Sequence, residues 1–273
     1  MIKLSQKIKN FYKTFIPASK LKEHPLVVII PSYNNAQWYK KNLDSVFNQR
    51  YSNYRIIYLD DASTDQTGYL VEKYIQEKDQ NHRFSLIKNK EREGATSNRY
   101  KGSHLCEDHE IILILDGDDW FAHNAVMKFI NKVYSCGDIW LTYGQFIRWP
   151  SGEIGQCRKL PQNYNFRSMK HWYTSALRTY YAWLFKKVNK EDLMYENKFF
   201  QVSGDVAEML PMLEMAQSHI KFIKKILYVY NNQTPFNDFK KHSSAQLQLF
   251  RYIQNKKNYL ISKKNESKDS NIK

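Results

Sequence analysis

The sequence predicts an α/β fold, with a mainly parallel central sheet flanked by helices and a helical extension at the C-terminus. Three observations carry this. Short apolar runs recur about every 25 to 30 residues, the spacing of βαβ units. The stretches between them place apolar residues three and four apart, as helices do. The runs at 26–30, 56–59 and 111–115 each lead into a polar turn, two of them rich in aspartate. Ligands of open parallel sheets bind beyond the carboxyl ends of the strands.

In chain order, residues 1–24 interleave lysines with Ile2, Leu4, Ile8, Phe11, Phe15 and Ile16. They read as a basic amphipathic arm, suited either to packing on its own domain or to resting on an anionic membrane. After Pro25, the runs at 26–30, 56–59, 84–87 and 111–115 are expected to be strands. Leu43, Val46 and Phe47, then Leu70, Val71, Tyr74 and Ile75, predict helices between the first three. Beyond Trp120, the residues Ala125, Val126, Phe129, Ile130 and Val133 suit a helix. Segments 139–143 and 146–149 suit two strands joined near Gly144, 206–216 suits a further helix, and 226–230 a late strand. From Gln246 onward a helix gives way to a lysine-rich tail.

The net charge of +15 calls for a partner, and much of the excess is terminal: Lys3, Lys7, Lys9, Lys13, Lys20 and Lys22, then Lys256, Lys257, Lys263, Lys264, Lys268 and Lys273. Nucleic acid is the partner least expected, because acidic clusters at the strand ends repel phosphate unless metal is bound. A basic binding module for anionic surfaces is the competing non-enzymatic reading. Cys106, Cys136 and Cys157 are widely spaced and form no C-x-x-C pair, as in a reducing compartment. No apolar run approaches the roughly 20 residues that cross a bilayer, and the N-terminus lacks a signal-peptide core. The chain is expected in the cytoplasm, with peripheral membrane contact through the arm as an option.

The chemistry gathers at the strand ends. Asp116, Asp118 and Asp119 surround Gly117 directly after the 111–115 run. Such a cluster is stable with a hard divalent cation among its oxygens, and Mg²⁺ or Mn²⁺ keeps positions open for a diphosphate. A solvated acidic turn capping the next helix is the competing reading. Asp60 and Asp61 end the second run, where a carboxylate can accept a base N–H; Asp65 suits a helix cap. Neither G-x-G-x-x-G nor a P-loop is present, which argues against a dinucleotide dehydrogenase or a P-loop ATPase. A sugar-phosphate nucleotidyltransferase, the nearest enzymatic alternative, would need a glycine- and arginine-rich loop where Pro-Ser-Tyr-Asn stands at 31–34.

Taken in order, Val-Ile-Ile-Pro-Ser-Tyr-Asn at 28–34, Leu-Asp-Asp-Ala-Ser-Thr-Asp at 59–65, Arg-Glu-Gly-Ala-Thr-Ser-Asn-Arg at 92–99 and Leu-Asp-Gly-Asp-Asp-Trp at 115–120 resemble the successive motifs of glycosyltransferase family 2. The resemblance implies a Rossmann-like GT-A fold, a nucleoside-diphosphate-sugar donor, usually a uridine one, and inverting transfer to a hydroxyl of a glycan, lipid-linked or protein acceptor. It divides the chain into the arm at 1–24, a glycosyltransferase domain at 25–245 and a C-terminal helix and tail at 246–273. Within the domain, 25–120 would bind nucleotide and 121–245 the acceptor. It places Pro31, Tyr33 and Asp61 around base and ribose, makes Asp118 a metal ligand with Asp116 and Asp119 beside it touching ribose, metal or sugar hydroxyls, and gives Arg99, after Gly94, the task of fastening the acidic loops.

Inversion needs a base for the acceptor hydroxyl. The family's downstream acidic motif is commonly two adjacent acids; here Gly204 precedes a single Asp205, so the match is partial. Asp205 is assigned as the base, with Glu208 in reserve, although Asp205 and Glu208 also have capping-box spacing. Segments 171–193 and 204–242 resemble bacterial and viral members. From these, Arg178 is expected at the diphosphate, Trp183 as a stacking platform for an acceptor sugar, and His242 as a weak candidate for the metal.

Overall fold

A computed structural model of the chain describes residues 21–161, 163–234 and 243–262. The first apolar run becomes β1 (Leu26–Ser32), all seven residues of which are buried. Its side chains divide by parity. Val27 and Ile29 join one core cluster with Leu59 and Ile112, while Val28 and Ile30 join another with Tyr58 and Leu113. A strand covered on both faces needs no polar alternation, hence its continuous apolar sequence.

The elements that follow are α1 (Tyr39–Phe47), β2 (Tyr54–Asp60), α2 (Thr67–Lys78), β3 (Phe84–Lys88), α3 (Ala95–His104), β4 (Ile111–Ile114), β5 (Trp120–Phe121), α4 (Val126–Ser135) and β6 (Leu141–Trp149). Then come β7 (Thr179–Tyr181), the four-residue α5 (Ala182–Phe185), a small hairpin of β8 (Met194–Tyr195) and β9 (Lys198–Phe199), α6 (Gly204–Ala216), β10 (Ile220–Asn231) and α7 (Ser243–Gln254). The main sheet has the order β3-β2-β1-β4-β7-β6-β10-β5. Strands β3, β2, β1 and β4 are parallel, β6 and β10 form a second parallel pair, and antiparallel β7 joins the two halves. The parallel register sets Ser32 beside Asp60, so the turns after β1, β2 and β4 open at one edge.

Several expectations change. Gly144 joins no two strands: β6 runs straight through it, and an added Cβ there would lie 3.3 Å from the Leu177 backbone nitrogen and 3.5 Å from the Ile223 carbonyl. Its small size serves close approach of neighbouring backbone rather than a turn. Helix α3 has no apolar stripe to announce it, because its buried residues are Thr96, Ser97, Asn98, Arg99, Gly102 and Ser103. The C-terminal helix begins at Ser243, and its Phe250 and Ile253 share a core cluster with Leu210 and Leu213 of α6. Residues 1–20 of the arm, the tail from 263 and His242 lie outside the described residues. Among the described residues no helix is long and apolar enough to cross a membrane.

Candidate active site

The turns after β1, β2 and β4, the N-termini of α3 and α6, and one side of α7 surround an open cavity of about 1020 Å³. Pro31, Tyr33, Asp61, Arg99, Asp116, Asp118, Asp119, Arg178 and Asp205 all line it, drawn from six separate stretches of sequence.

At the end formed by β1 and β2, Tyr33 carries the guanidinium of Arg92 over its ring at 4.0 Å. Asp61 is buried, and its carboxylate accepts from Asn89 Nδ2 at 2.9 Å, Glu93 N at 2.9 Å and Gly94 N at 2.8 Å. It therefore shapes the loop leading into α3 while facing the cavity. Asp60 departs from expectation. Its carboxyl lies against Gly68 of α2, away from the cavity lining, and burial pushes its pKa up. The pleat explains this, since consecutive strand residues face opposite sides and only one of the two acids can point into the cleft. Asp65 does cap α2, accepting from Thr67 N at 3.1 Å, and also receives Ala36 N at 2.9 Å.

The acidic turn after β4 is held tightly. A Cβ on Gly117 would stand 2.6 Å from Ser32 Oγ and 2.8 Å from Asn35 Nδ2, so the turn can lie on the end of β1 only with glycine there. The three aspartates then take different roles. Asp119 is buried, with Tyr228 donating its hydroxyl to Oδ2 at 2.6 Å and Asn231 N donating to Oδ1 at 2.7 Å. Burial, then the negative charges of Asp118 and Asp116, drive its pKa well above the usual carboxylate range. Where the sequence suggested a metal ligand, the structure shows both Asp119 oxygens accepting hydrogen bonds that brace the turn against β10. Asp116 is partly exposed and lies 3.6 Å from Arg99 Nη1 and 3.8 Å from Arg178 Nη2. Asp118 is partly exposed to the cavity.

Among the described residues no group of three or more potential ligand side chains converges on one metal position. Mg²⁺ and Mn²⁺ commonly take one or two protein carboxylates and fill their shell with phosphate and water. Asp118, with Asp116 beside it, fits such a site, and the rest of the shell falls to the ligand.

Arg178 is 6% exposed, and its Nη1 is buried without a hydrogen-bond partner among the described residues. Arg178 as a residue lines the cavity, where an arginine fork suits an anion. Arg99 fastens the acidic turn as expected but also has a partner the sequence reading did not assign it. Its Nε donates to Glu208 at 2.7 and 3.0 Å. Burial alone would lower its pKa; the charges of Glu208 and Asp116 overcome this and raise it. Glu208 is 1% exposed and absent from the cavity lining, which removes it as a reserve base.

The capping box is not formed either. Helix α6 starts at Gly204, Ser203 makes no side-chain cap, and Asp205 occupies the first turn, half-exposed and facing the cavity. The glycine in place of a first acid has a physical cause. A Cβ at Gly204 would collide with Thr96 Oγ1 and come within 3.0 Å of Arg99 Nη2. Trp183, expected to stack on a sugar, is instead buried edge-on against Trp140, ring centroids 5.1 Å apart. Asp192 receives the Tyr259 hydroxyl at 2.6 Å and ties down the C-terminal segment.

The cavity includes residues that carried no signal of their own. Arg148, Lys170, Trp172, Gln246, Leu247 and Phe250 form its far wall. Arg92, Ser32, Thr96 and Asn98, which also line the cavity, lie inside the recognised motifs and were within reach of sequence reasoning.

Comparison with known proteins bears on the family and the fold. The family model for glycosyl transferase family 2 matches residues 27–192, more than half of the chain. The chain is 28% identical over 113 residues to the glycosyltransferase GlyA of Streptococcus pneumoniae serotype 4, and 36% identical over 129 residues to chondroitin synthase of Escherichia coli. These matches cover 41% and 45% of this chain but only 16% and 18% of those proteins. Among solved structures, S. aureus TarS 1-349 in complex with UDP-GlcNAc superposes with a TM-score of 0.60 at 18% identity, over 84% of this chain and 65% of that one. The mannosyltransferase PcManGT from Pyrobaculum calidifontis, in complex with GDP-Man and Mn²⁺, gives 0.57 at 17% identity, over 87% and 66%. At such identity the likeness is one of fold, and the fold is GT-A.

Proposed function

The chain belongs to glycosyl transferase family 2, and from that premise we propose that it is a metal-dependent inverting glycosyltransferase. It would move a sugar from a nucleoside-diphosphate sugar, in our reading a UDP-sugar, to a hydroxyl of a glycan, lipid-linked or protein acceptor. The observation that carries this is the convergence of Asp118, Arg178 and the partly exposed Asp205 on one cavity at the carboxyl ends of β1, β2 and β4.

Pro31, Tyr33 and Asp61 would hold the base and ribose, with Arg92 as a cover for the ring. Asp118 and Asp116 would hold Mn²⁺ or Mg²⁺ together with the diphosphate. Bound there, the ion supplies positive charge against the leaving diphosphate. Arg178 would meet the phosphate oxygens from the other side. Asp205 would take the proton of the acceptor hydroxyl as that oxygen bonds to the anomeric carbon, while the bond from this carbon to the diphosphate oxygen breaks and its electron pair leaves with the diphosphate. The remaining wall, with Lys170, Trp172 and Leu247, would receive the acceptor.

Calorimetric titration with UDP, GDP and CDP, each with and without Mn²⁺, tests the reading. Tight binding of UDP only with metal is expected. Binding of none of the three would refute it, and tight binding of GDP or CDP alone would reassign the donor.

A further inference from the structure

Glu208 has no part in the reaction just described, yet it sits at the junction of the two loops that would perform it. It lies one turn after Asp205 on α6 and is 1% exposed. Both its oxygens accept from Arg99 Nε, at 2.7 and 3.0 Å. Arg99, on α3, is almost as buried, and its Nη1 is 3.6 Å from Asp116 Oδ1. Two carboxylates thus compete for one guanidinium, and the buried one has the shorter contacts. Asp116, with the longer contact, keeps a third of its side chain open to the cavity.

A guanidinium this deeply buried cannot stand uncompensated. Without the charge of Glu208, its nearest remaining carboxylate is Asp116. Arg99 would close on it and draw it away from the ligand. We propose that Glu208 is a positioning residue of the donor site: by anchoring Arg99 at the seam of α3 and α6, it leaves Asp116 turned toward the metal and nucleotide. The inference rests on the reading of Asp116 and Asp118 as donor-side groups. A buried pair that serves only stability makes a different prediction, since its loss lowers the melting temperature and leaves affinity in the folded protein unchanged.

Glu208→Gln keeps the shape of the side chain and removes its charge. In calorimetry well below the melting transition, this variant is expected to bind UDP with Mn²⁺ about tenfold more weakly than wild type, a coupling of ordinary size between linked sites. If Glu208→Gln fails to melt cooperatively, Glu208→Asp, which keeps the charge at shorter reach, should show a smaller loss in the same direction. Equal affinity in wild type and the Glu208→Gln variant overturns the proposal. A wild-type protein that binds no UDP with Mn²⁺ overturns the donor-site reading, and the positioning role with it.

Discussion

Three aspartates within four residues have three fates, and single substitutions should separate them. Asp118→Asn is expected to weaken Mn²⁺-dependent UDP binding by at least about 100-fold, beyond the loss typical of an outer-shell residue. Asp119→Asn should largely spare that binding. Its new amide can still accept from Asn231 N and donate to the Tyr228 oxygen. The same variant has a defined pH signature. Burial raises the Asp119 pKa in the folded protein above the value of about 3.9 in an unfolded chain, so the carboxyl's contribution to stability is complete below that pH and is lost as pH rises through the folded value. The variant has no such loss, and its melting temperature relative to wild type should climb from pH 4 to pH 8. A difference that stays flat would contradict the assignment. Asp205→Asn is expected to leave UDP binding unchanged and to slow transfer roughly 10²–10⁴-fold; transfer at the wild-type rate would dismiss Asp205 as the base.

At the scale of elements, the contact between α3 and α6 sets the position of Asp205, the proposed base. Thr96 donates its hydroxyl to the Phe200 carbonyl at 2.6 Å, and Gly204 lets the first turn of α6 rest on Thr96 and Arg99. Gly204→Ala forces a methyl into that contact. Overpacking of this kind costs about 1–3 kcal/mol, measurable by urea denaturation, and it should displace Asp205 as well. Transfer should therefore fall while UDP binding with Mn²⁺ holds. A variant of wild-type stability and rate would mean that the two helices can separate freely. Helix α3 also marks the limit of pattern reading. Its buried face is polar because it looks into the site, so hydrophobic periodicity had nothing to register, whereas α4 buries Val126, Met127, Ile130 and Tyr134 and was legible at once.

For the whole molecule, the cavity is an assembly of the sheet edge, α6 and α7, and the metal position we propose at Asp118 and Asp116 would be completed by a diphosphate. UDP and Mn²⁺ should therefore stabilise the fold together and not separately. At a hundredfold excess over Kd the linkage gives about 2.7 kcal/mol, or a rise in melting temperature on the order of 5 °C or more for a chain of this size. Scanning fluorimetry with each ligand alone and with both checks this. An equal rise with Mn²⁺ alone would reveal a preformed metal site and a different ligand set. The far wall, with Lys170, Trp172, Leu247 and Phe250, is where an acceptor would be read, and no local pattern in those segments foretold it.

The sequence by itself determined the family and the parallel half of the sheet. Doubly covered strands must be continuous in apolar residues, and motifs at their carboxyl ends keep their order along the chain. Pro31, Tyr33, Asp61, Asp116 and Asp118 were found in this way. Only the tertiary structure decided that Asp60 turns under α2, that Asp119 braces β10, that Glu208 belongs to Arg99, and that Trp183 is core. In each case the deciding partner lies across the fold or on the opposite side of a pleat. Spacing along a chain shows which groups are present, but which lone pairs are already taken is settled by residues as far as 112 positions away.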